Sequence, residues 1–215
     1  NIHLPLVSLS DIQHNSVAIC EEVNKRCRPL EHFTHYLQQG YYPFGAEGFA
    51  TYNQRVENTV ELLLNIELPQ LRKVDIGNIR KLKALLSVLP SEVPMLVDTA
   101  KLSTLLGISR NTLLAYLEYL DEAKLIKRLY SDDLSVKKMQ KPDKILMDNC
   151  NLLKVLALKE PNIGTLRETF FCNQLGYQHQ VEYSKQGDFL IDHQITFEIG
   201  GQAKEGKQVD AVENA

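Results

Sequence analysis

Several signatures of common protein classes are missing from this sequence of 215 residues. Its four cysteines form no CxxC pair and fit no zinc module, so we expect reduced thiols in a cytoplasmic protein. No run of about 18 apolar residues is present, which argues against a membrane span, and no signal peptide is visible. A GxxxxGK(S/T) loop is also missing, so this stretch by itself is not expected to cradle the phosphates of ATP.

Charge is distributed unevenly along the chain, although the net charge is only −3. Residues 1–70 contain 4 basic and 8 acidic residues, a balance of −4, and residues 141–215 contain 8 and 11, a balance of −3. Residues 71–140 contain 12 basic and 8 acidic residues, a balance of +4. The middle third is therefore the part best able to approach a phosphate backbone.

Residues 1–70 are predicted to form a helical segment. Ser10 or Asn15 is a candidate N-cap of the first helix, Pro29 is typical of the start of a second, and Gly40 of its end. A turn-rich aromatic stretch, GYYPFGAEG, follows. The next helix is predicted to bury one apolar face, made of Val56, Val60, Leu63 and Leu64.

Residues 71–147 show the clearest pattern, which predicts a winged helix-turn-helix. After one amphipathic helix, Asp98 is expected to cap a short helix, Gly107 to supply the turn and Ser109 to cap the next helix. The core face of that last helix is predicted to consist of Leu113, Tyr116, Leu117 and Leu120. KLIKRLY and KILMD are then expected to pair as a two-stranded wing.

The predicted recognition helix begins with residues suited to DNA. Arginine forks onto guanine, asparagine reads adenine, and serine and threonine bind phosphate. The candidate DNA-binding residues are Ser109, Arg110, Asn111, Thr112, Lys127 and Arg128, with Lys101, Lys124, Lys137 and Lys138 flanking them. A role without DNA stays open, because winged helices also serve as packing units between domains or between proteins. A single arginine would also recognise few bases.

Residues 148–215 are predicted to be an α+β unit that ends in a hairpin. A three-residue loop, residues 192–194, sets Phe189 opposite Phe197 and Asp188 opposite Glu198. Two facing carboxylates are destabilising unless solvent, a lysine or a divalent metal compensates them. We therefore expect Asp188 and Glu198 to be candidate Mg²⁺ ligands, with Glu168 completing an acidic cluster, or else to form a solvated edge without an ion.

These segments together resemble a family of bacterial and archaeal AAA-type ATPases. GTLRETFFCNQL, GDFLI and FEIGG resemble its restriction-endonuclease-like (PD-(D/E)xK) domain, and LLGISRNTLLAYLEYLDEAKLIKRLY its winged helix. LQQGYYPF resembles an element that follows the ATPase core. The resemblance implies three domains, a helical lid-like segment (1–70), a winged helix (71–147) and a nuclease-like α/β domain (148–215). It also implies that the chain is a fragment, with an ATP-binding core before Asn1.

The resemblance also implies roles for single residues. Glu168, Asp188 and Glu198 match the acids of a nuclease site, whereas Gly200 stands where that pattern has a catalytic lysine. Pro43 matches a position near the nucleotide in related ATPases. We therefore expect a mostly helical α+β protein that binds DNA or a protein partner, with an inactive nuclease-like domain and ATP held only by the longer protein. A Mg²⁺-dependent nuclease and a self-association module without a nucleic-acid role are the alternatives.

Overall fold

A computed structural model describes residues 6–48, 50–72, 76–131 and 141–200 of the chain. The fold is α+β and mostly helical, as the sequence predicted at this level. Its described residues form two small antiparallel sheets of three strands each. None of the described helices combines the length and the apolar character needed to cross a bilayer.

The first helices are α1 (Leu9–Arg26) and α2 (Pro29–Gln39). The N-cap of α1 is Ser8, whose hydroxyl accepts from the backbone of Asp11 while Asp11 accepts in return, so the predicted caps Ser10 and Asn15 were wrong. Asn15 instead has non-helical backbone angles and kinks the helix. Pro29 and Gly40 lie at the two ends of α2, as predicted.

A 3-10 helix (Pro43–Glu47) leads from the aromatic stretch to α3 (Tyr52–Leu62), which runs through a π-helical turn into α4 (Leu68–Arg72). The buried stripe of this long helix is not quite the predicted one, because Leu63 is only half-buried. The wide π turn sets a four-residue spacing, and the buried side chains are Val56, Val60, Leu64 and Leu68.

Residues 76–131 and 141–147 form three helices and a three-stranded sheet. The elements are α5 (Ile76–Glu92), β1 (Met95–Leu96), α6 (Thr99–Leu106), α7 (Arg110–Glu122), β2 (Ile126–Leu129) and β3 (Lys144–Met147). The sheet order is β1-β3-β2, so the predicted pair of strands has a third, two-residue neighbour that the sequence analysis missed. Residues 132–140, which include Lys137 and Lys138, lie outside the described residues.

The local signals between α6 and α7 are confirmed. Asp98 accepts from the backbone N–H groups of Ala100 and Lys101, and Gly107 has the left-handed conformation, with φ 59°. The predicted core face of α7 is buried at all four of its positions, Leu113, Tyr116, Leu117 and Leu120.

The rest of the described chain contains α8 (Cys150–Leu156), α9 (Ile163–Leu175), β4 (Val181–Tyr183), β5 (Phe189–Ile191) and β6 (Ile195–Phe197). β5 pairs with β4 and β6, and the register Phe189 to Phe197 is the predicted one. Asp192 and His193 carry the tight loop with φ of 52° and 58°.

Two clusters of buried apolar side chains hold these elements together. The larger one draws on all three predicted domains, from Leu37 of α2 through Leu117 of α7 to Leu166 of α9. The smaller one lies on the other face of the first sheet, where Leu129 and Leu146 meet Cys172, Phe189 and Ile191. The predicted domain limits therefore do not coincide with separate cores.

Candidate functional site

The N-terminus of α7 presents polar side chains to solvent. The Ser109 hydroxyl accepts from the Thr112 backbone N–H at 3.1 Å and lies 2.8 Å from the Thr112 hydroxyl. Arg110 and Asn111 are exposed. The capping bonds occupy Ser109 and Thr112, which leaves Arg110 and Asn111 as the side chains best placed to reach a ligand.

Basic residues of other helices accompany this end of α7. Lys81 of α5 donates from Nζ to the carbonyl oxygen of Gly107 at 2.7 Å, which places its charge beside the turn. Lys101 of α6 is exposed. An exposed arginine and asparagine thus stand at a helix start with a cation close by.

The other two predicted DNA-binding residues lie apart from this end. Arg128 donates from Nε to Oδ2 of Asp121 at 3.1 Å, and only 16% of its side chain is exposed. Lys127, its neighbour on β2, lines a cavity beside Asp148. Because successive residues of a strand point to opposite faces, the two cations are separated by the sheet. DNA contact by the six residues stays a prediction, and it is best supported for Arg110 and Asn111.

The acidic hairpin departs from the predicted register at its base. The paired residues end at Phe189 and Phe197, and the backbone N–H of Asp188 donates to the carbonyl oxygen of Phe197 at 2.8 Å, one residue short of the predicted partner Glu198. Oδ2 of Asp188 accepts from the backbone N–H of Ile199 at 2.6 Å. One oxygen of Asp188 is therefore held by the hairpin itself.

Glu168 and Asp188 line the same cleft, of about 570 Å³, but a lysine lies against the first of them. Nζ of Lys144 donates to Oε2 of Glu168 at 2.7 Å and lies 4.9 Å from the centre of the Phe189 ring. Lys185 also lines this cleft, whereas Glu198 does not. The charge of Glu168 is thus balanced by Lys144.

Metal binding at the hairpin finds little support in this geometry. Among the described residues, no group of three or more histidine, cysteine, aspartate or glutamate side chains is arranged to hold an ion. Glu168, Asp188 and Glu198 therefore do not form the expected cluster, and Mg²⁺ binding by Asp188 and Glu198 stays a prediction.

A second polar constellation, absent from the sequence predictions, surrounds the start of α8. The Asn151 side chain is fully buried. Its Oδ1 accepts from the Tyr41 backbone N–H at 2.9 Å and from the Tyr52 hydroxyl, and its Nδ2 donates to the carbonyl oxygens of Tyr36 and Leu37. One amide thus ties the C-terminal end of α2 and the aromatic stretch to α8.

Asp148 lies beside this amide and lines two neighbouring cavities. Its Oδ2 accepts from the Tyr41 hydroxyl and from the Asn149 side chain, each at 3.3 Å. Asn173 donates to its backbone carbonyl oxygen at 2.9 Å. Burial raises the pKa of Asp148, although these hydrogen bonds and nearby lysines oppose the rise.

Comparison with known families and structures assigns the chain to one family. Residues 30–162 match the model of a domain of unknown function, DUF8612, which covers more than half of the 215 residues. The chain belongs to the DUF8612 family. No curated protein and no solved structure matches it.

The DUF8612 match contains most of the polar constellation and the whole of α7. The matched range, residues 30–162, includes Tyr41, Lys124, Lys127, Asp148 and Asn151. It does not include Asp188 or Glu198. A sequence signal for this constellation exists in the run DNCN, which interrupts the apolar residues of β3 and α8. Four polar or small residues between two buried segments indicate side chains that satisfy buried backbone groups.

Proposed function

We propose that this chain is a DNA-binding module built on a winged helix-turn-helix. A winged helix is supported by the order of elements along the chain, α5-β1-α6-α7-β2-β3, and by the strand order β1-β3-β2 in the sheet. The observation that carries the proposal is the exposed start of α7, where Arg110 and Asn111 lie next to the turn bound by Lys81. Arginine and asparagine at this point of a recognition helix reach base edges in the major groove.

The C-terminal part accompanies this module as a nuclease-like unit without cleavage activity. Two features support this part of the proposal, the balancing of Glu168 by Lys144 and the glycine at position 200. The resemblance of LQQGYYPF and the later motifs to AAA-type ATPases supports a partnership with an ATP-binding core in a longer protein. Pro43 is exposed at the start of the 3-10 helix, where a nucleotide bound by such a core has access to it.

Fluorescence anisotropy with a labelled duplex at low salt tests DNA binding. Replacing Arg110 with alanine is expected to weaken binding by about 1–3 kcal/mol, roughly 5- to 150-fold, because a bidentate base contact is lost. Arg28→Ala is the matched control, since Arg28 is also exposed and lies outside the three helices and the sheet of residues 76–147. Equal binding by the wild type and Arg110→Ala, or affinity that does not change with salt, would contradict the proposal.

A Mg²⁺-dependent nuclease is the second candidate, because Glu168 and Asp188 line one cleft with Lys144 and Lys185. It predicts calorimetric Mg²⁺ binding and duplex cleavage that are both lost in Asp188→Ala. Binding of Mg²⁺ that is unchanged in Asp188→Ala would remove this candidate.

Self-association is the third candidate, and α1 is the observation that favours it. This 18-residue helix has no buried residue, while Ile12 and Val17 are 46% and 72% exposed. Light scattering of the purified chain would show a dimer that Val17→Asp dissociates. A monomer at all concentrations up to about 100 times that of the DNA assay would reject this candidate.

A further inference from the structure

A cavity of about 380 Å³ lies where the end of α7, the start of α8 and the end of α9 meet. Its polar lining consists of Tyr41, Lys124, Lys127, Asp148, Asn173 and Tyr177. Helix α7 has 13 residues, so Lys124 lies about 20 Å from Arg110 at the other end of the helix. The cavity is therefore separate from the proposed DNA contact.

The two lysines of this cavity are not neutralised in the way other cations of the fold are. Arg128 is paired with Asp121, and Lys144 with Glu168. Within the described part of the chain, by contrast, the side chains of Lys124 and Lys127 form neither a hydrogen bond nor an ion pair. Asp148 is the single acid among the described residues of the lining, and it already accepts two hydrogen bonds. The lining thus keeps an excess of one positive charge.

The polar side chains that line the cavity hold one another in place. Asn173 donates to the Tyr41 hydroxyl at 3.4 Å, and the hydroxyls of Tyr41 and Tyr177 lie 2.9 Å apart. Lys124 has a left-handed backbone with φ 57°, which costs a lysine roughly 1 kcal/mol or more. The fold keeps this conformation, which directs the chain from α7 into β2 past the cavity.

A second cavity, of about 270 Å³, adjoins the first and shares Tyr41, Lys124 and Asp148 with it. The rest of its lining is mostly apolar and comes from the aromatic stretch, from the helix that follows it and from the turn between α7 and β2. It includes Tyr42, Phe44, Val56, Val60, Leu63 and Leu125. A cationic cavity beside an apolar one suits a ligand with one anionic and one apolar end.

We propose that the paired cavities bind a small phosphomonoester that carries an aromatic or apolar group. The phosphate would lie between Lys124 and Lys127, whose ammonium groups are compact donors suited to phosphate oxygens. The Tyr177 hydroxyl is the neighbouring donor, since the proton of the Tyr41 hydroxyl is already given to Asp148, and the apolar group would enter the second cavity. A carboxylate alone, or inorganic phosphate, leaves most of the two volumes unfilled.

Calorimetry with three probes tests both halves of this proposal. Phenyl phosphate is expected to bind more tightly than ribose 5-phosphate, and inorganic phosphate least tightly, because only the first supplies an apolar group. Lys127→Gln and Lys124→Gln are each expected to weaken phenyl phosphate binding about tenfold. Lys159→Gln is the matched control, since Lys159 is exposed and outside both cavities. Binding should also weaken below about pH 6, where the phosphate monoester loses one negative charge.

Three results would overturn the proposal. They are no binding of any probe at millimolar concentration, equal binding by Lys127→Gln and Lys159→Gln, and tighter binding of inorganic phosphate than of phenyl phosphate. Neither lysine has a partner whose loss would unfold the chain, and an unchanged melting temperature in each variant will verify this. Arg110→Ala is expected to bind phenyl phosphate normally, so this test and the DNA test fail independently.

Discussion

Helices α1 and α7 have similar sequence signals but different surroundings. Each starts at a serine whose hydroxyl caps the first turn, and each has apolar residues at helical spacing. Four side chains of α7 are buried, whereas none of α1 is. The difference shows that periodicity predicts a helix and its apolar side, while burial depends on whether another element supplies a facing surface.

Helix α2 shows how the fold anchors a neighbouring helix that has little core of its own. Its single buried residue is Leu37, but its last carbonyl groups accept from Asn151. Helix α1, by contrast, has no buried residue and contacts the smaller core cluster through the half-buried Leu9. We therefore expect α1 to open locally without unfolding the rest, and the variants below test this contrast.

The largest effect is expected for Asn151→Ala. It leaves the Leu37 carbonyl group, the Tyr41 backbone N–H and the proton of the Tyr52 hydroxyl without their partner in a buried site, while the Tyr36 carbonyl group keeps its bond from Gly40. We expect a loss of about 4 kcal/mol in the free energy of unfolding, measured by urea denaturation. Asn58→Ala, on the exposed side of α3, is the control and should change it by less than about 0.5 kcal/mol. A loss below about 1 kcal/mol would show that the network does not anchor α2.

A matched pair of apolar truncations compares the two helices directly. Leu117→Ala is expected to cost about 3 kcal/mol in the same measurement, because Leu117 is fully buried and its removal leaves a cavity. Val17→Ala is expected to cost less than about 0.5 kcal/mol, since Val17 is 72% exposed. If Val17→Ala lowered the free energy of unfolding of the dilute monomer as much as Leu117→Ala does, α1 would not differ from α7 in this way.

Two cap variants give a smaller and equally informative comparison. Asp98→Ala is expected to reduce the free energy of unfolding by about 1 kcal/mol, because α6 is packed into the core and loses two capping bonds. Ser8→Ala is expected to reduce helical circular dichroism while leaving the urea midpoint unchanged, since α1 opens on its own. An equal shift of the midpoint in both variants would mean that α1 unfolds together with the core.

The smallest effect concerns pH and two aspartates in opposite surroundings. Burial raises the pKa of Asp148 above 3.8, so the folded protein binds this proton more tightly than the unfolded chain does. The free energy of unfolding therefore falls as the pH rises from 3.8 to the raised pKa. Relative to Asp148→Asn, the wild type should therefore lose stability between pH 4 and the raised pKa. Asp11, whose pKa is lowered by its hydrogen bonds with Ser8, is exposed on α1, and Asp11→Asn should leave the pH profile of global unfolding unchanged. A wild-type advantage over Asp148→Asn that grows with pH would contradict the sign.

Sequence reasoning succeeded where the signal is local. Four predicted features depend on residues close together in the chain, and all four are confirmed. They are the cap at Asp98, the turn at Gly107, the buried face of α7 and the pairing of Phe189 with Phe197. It failed at the cap of α1, where Ser8 with Asp11 forms the capping box that Ser10 and Asn15 lack. It also missed β1, since two residues are too few to show an alternation.

The class of the fold, most of its helices and the hairpin register could be predicted from the sequence, because they follow from periodicities of a few residues. Which charges meet depends instead on the packing of distant segments. Lys144 and Glu168 are 24 positions apart, and Tyr41 and Asp148 are 107 apart. A pattern of neighbouring residues cannot reveal pairs so far apart in the sequence, since each pair forms only when the sheet and its helices pack. For that reason the expected acidic cluster was replaced by an ion pair, and two lysines remain beside a cavity.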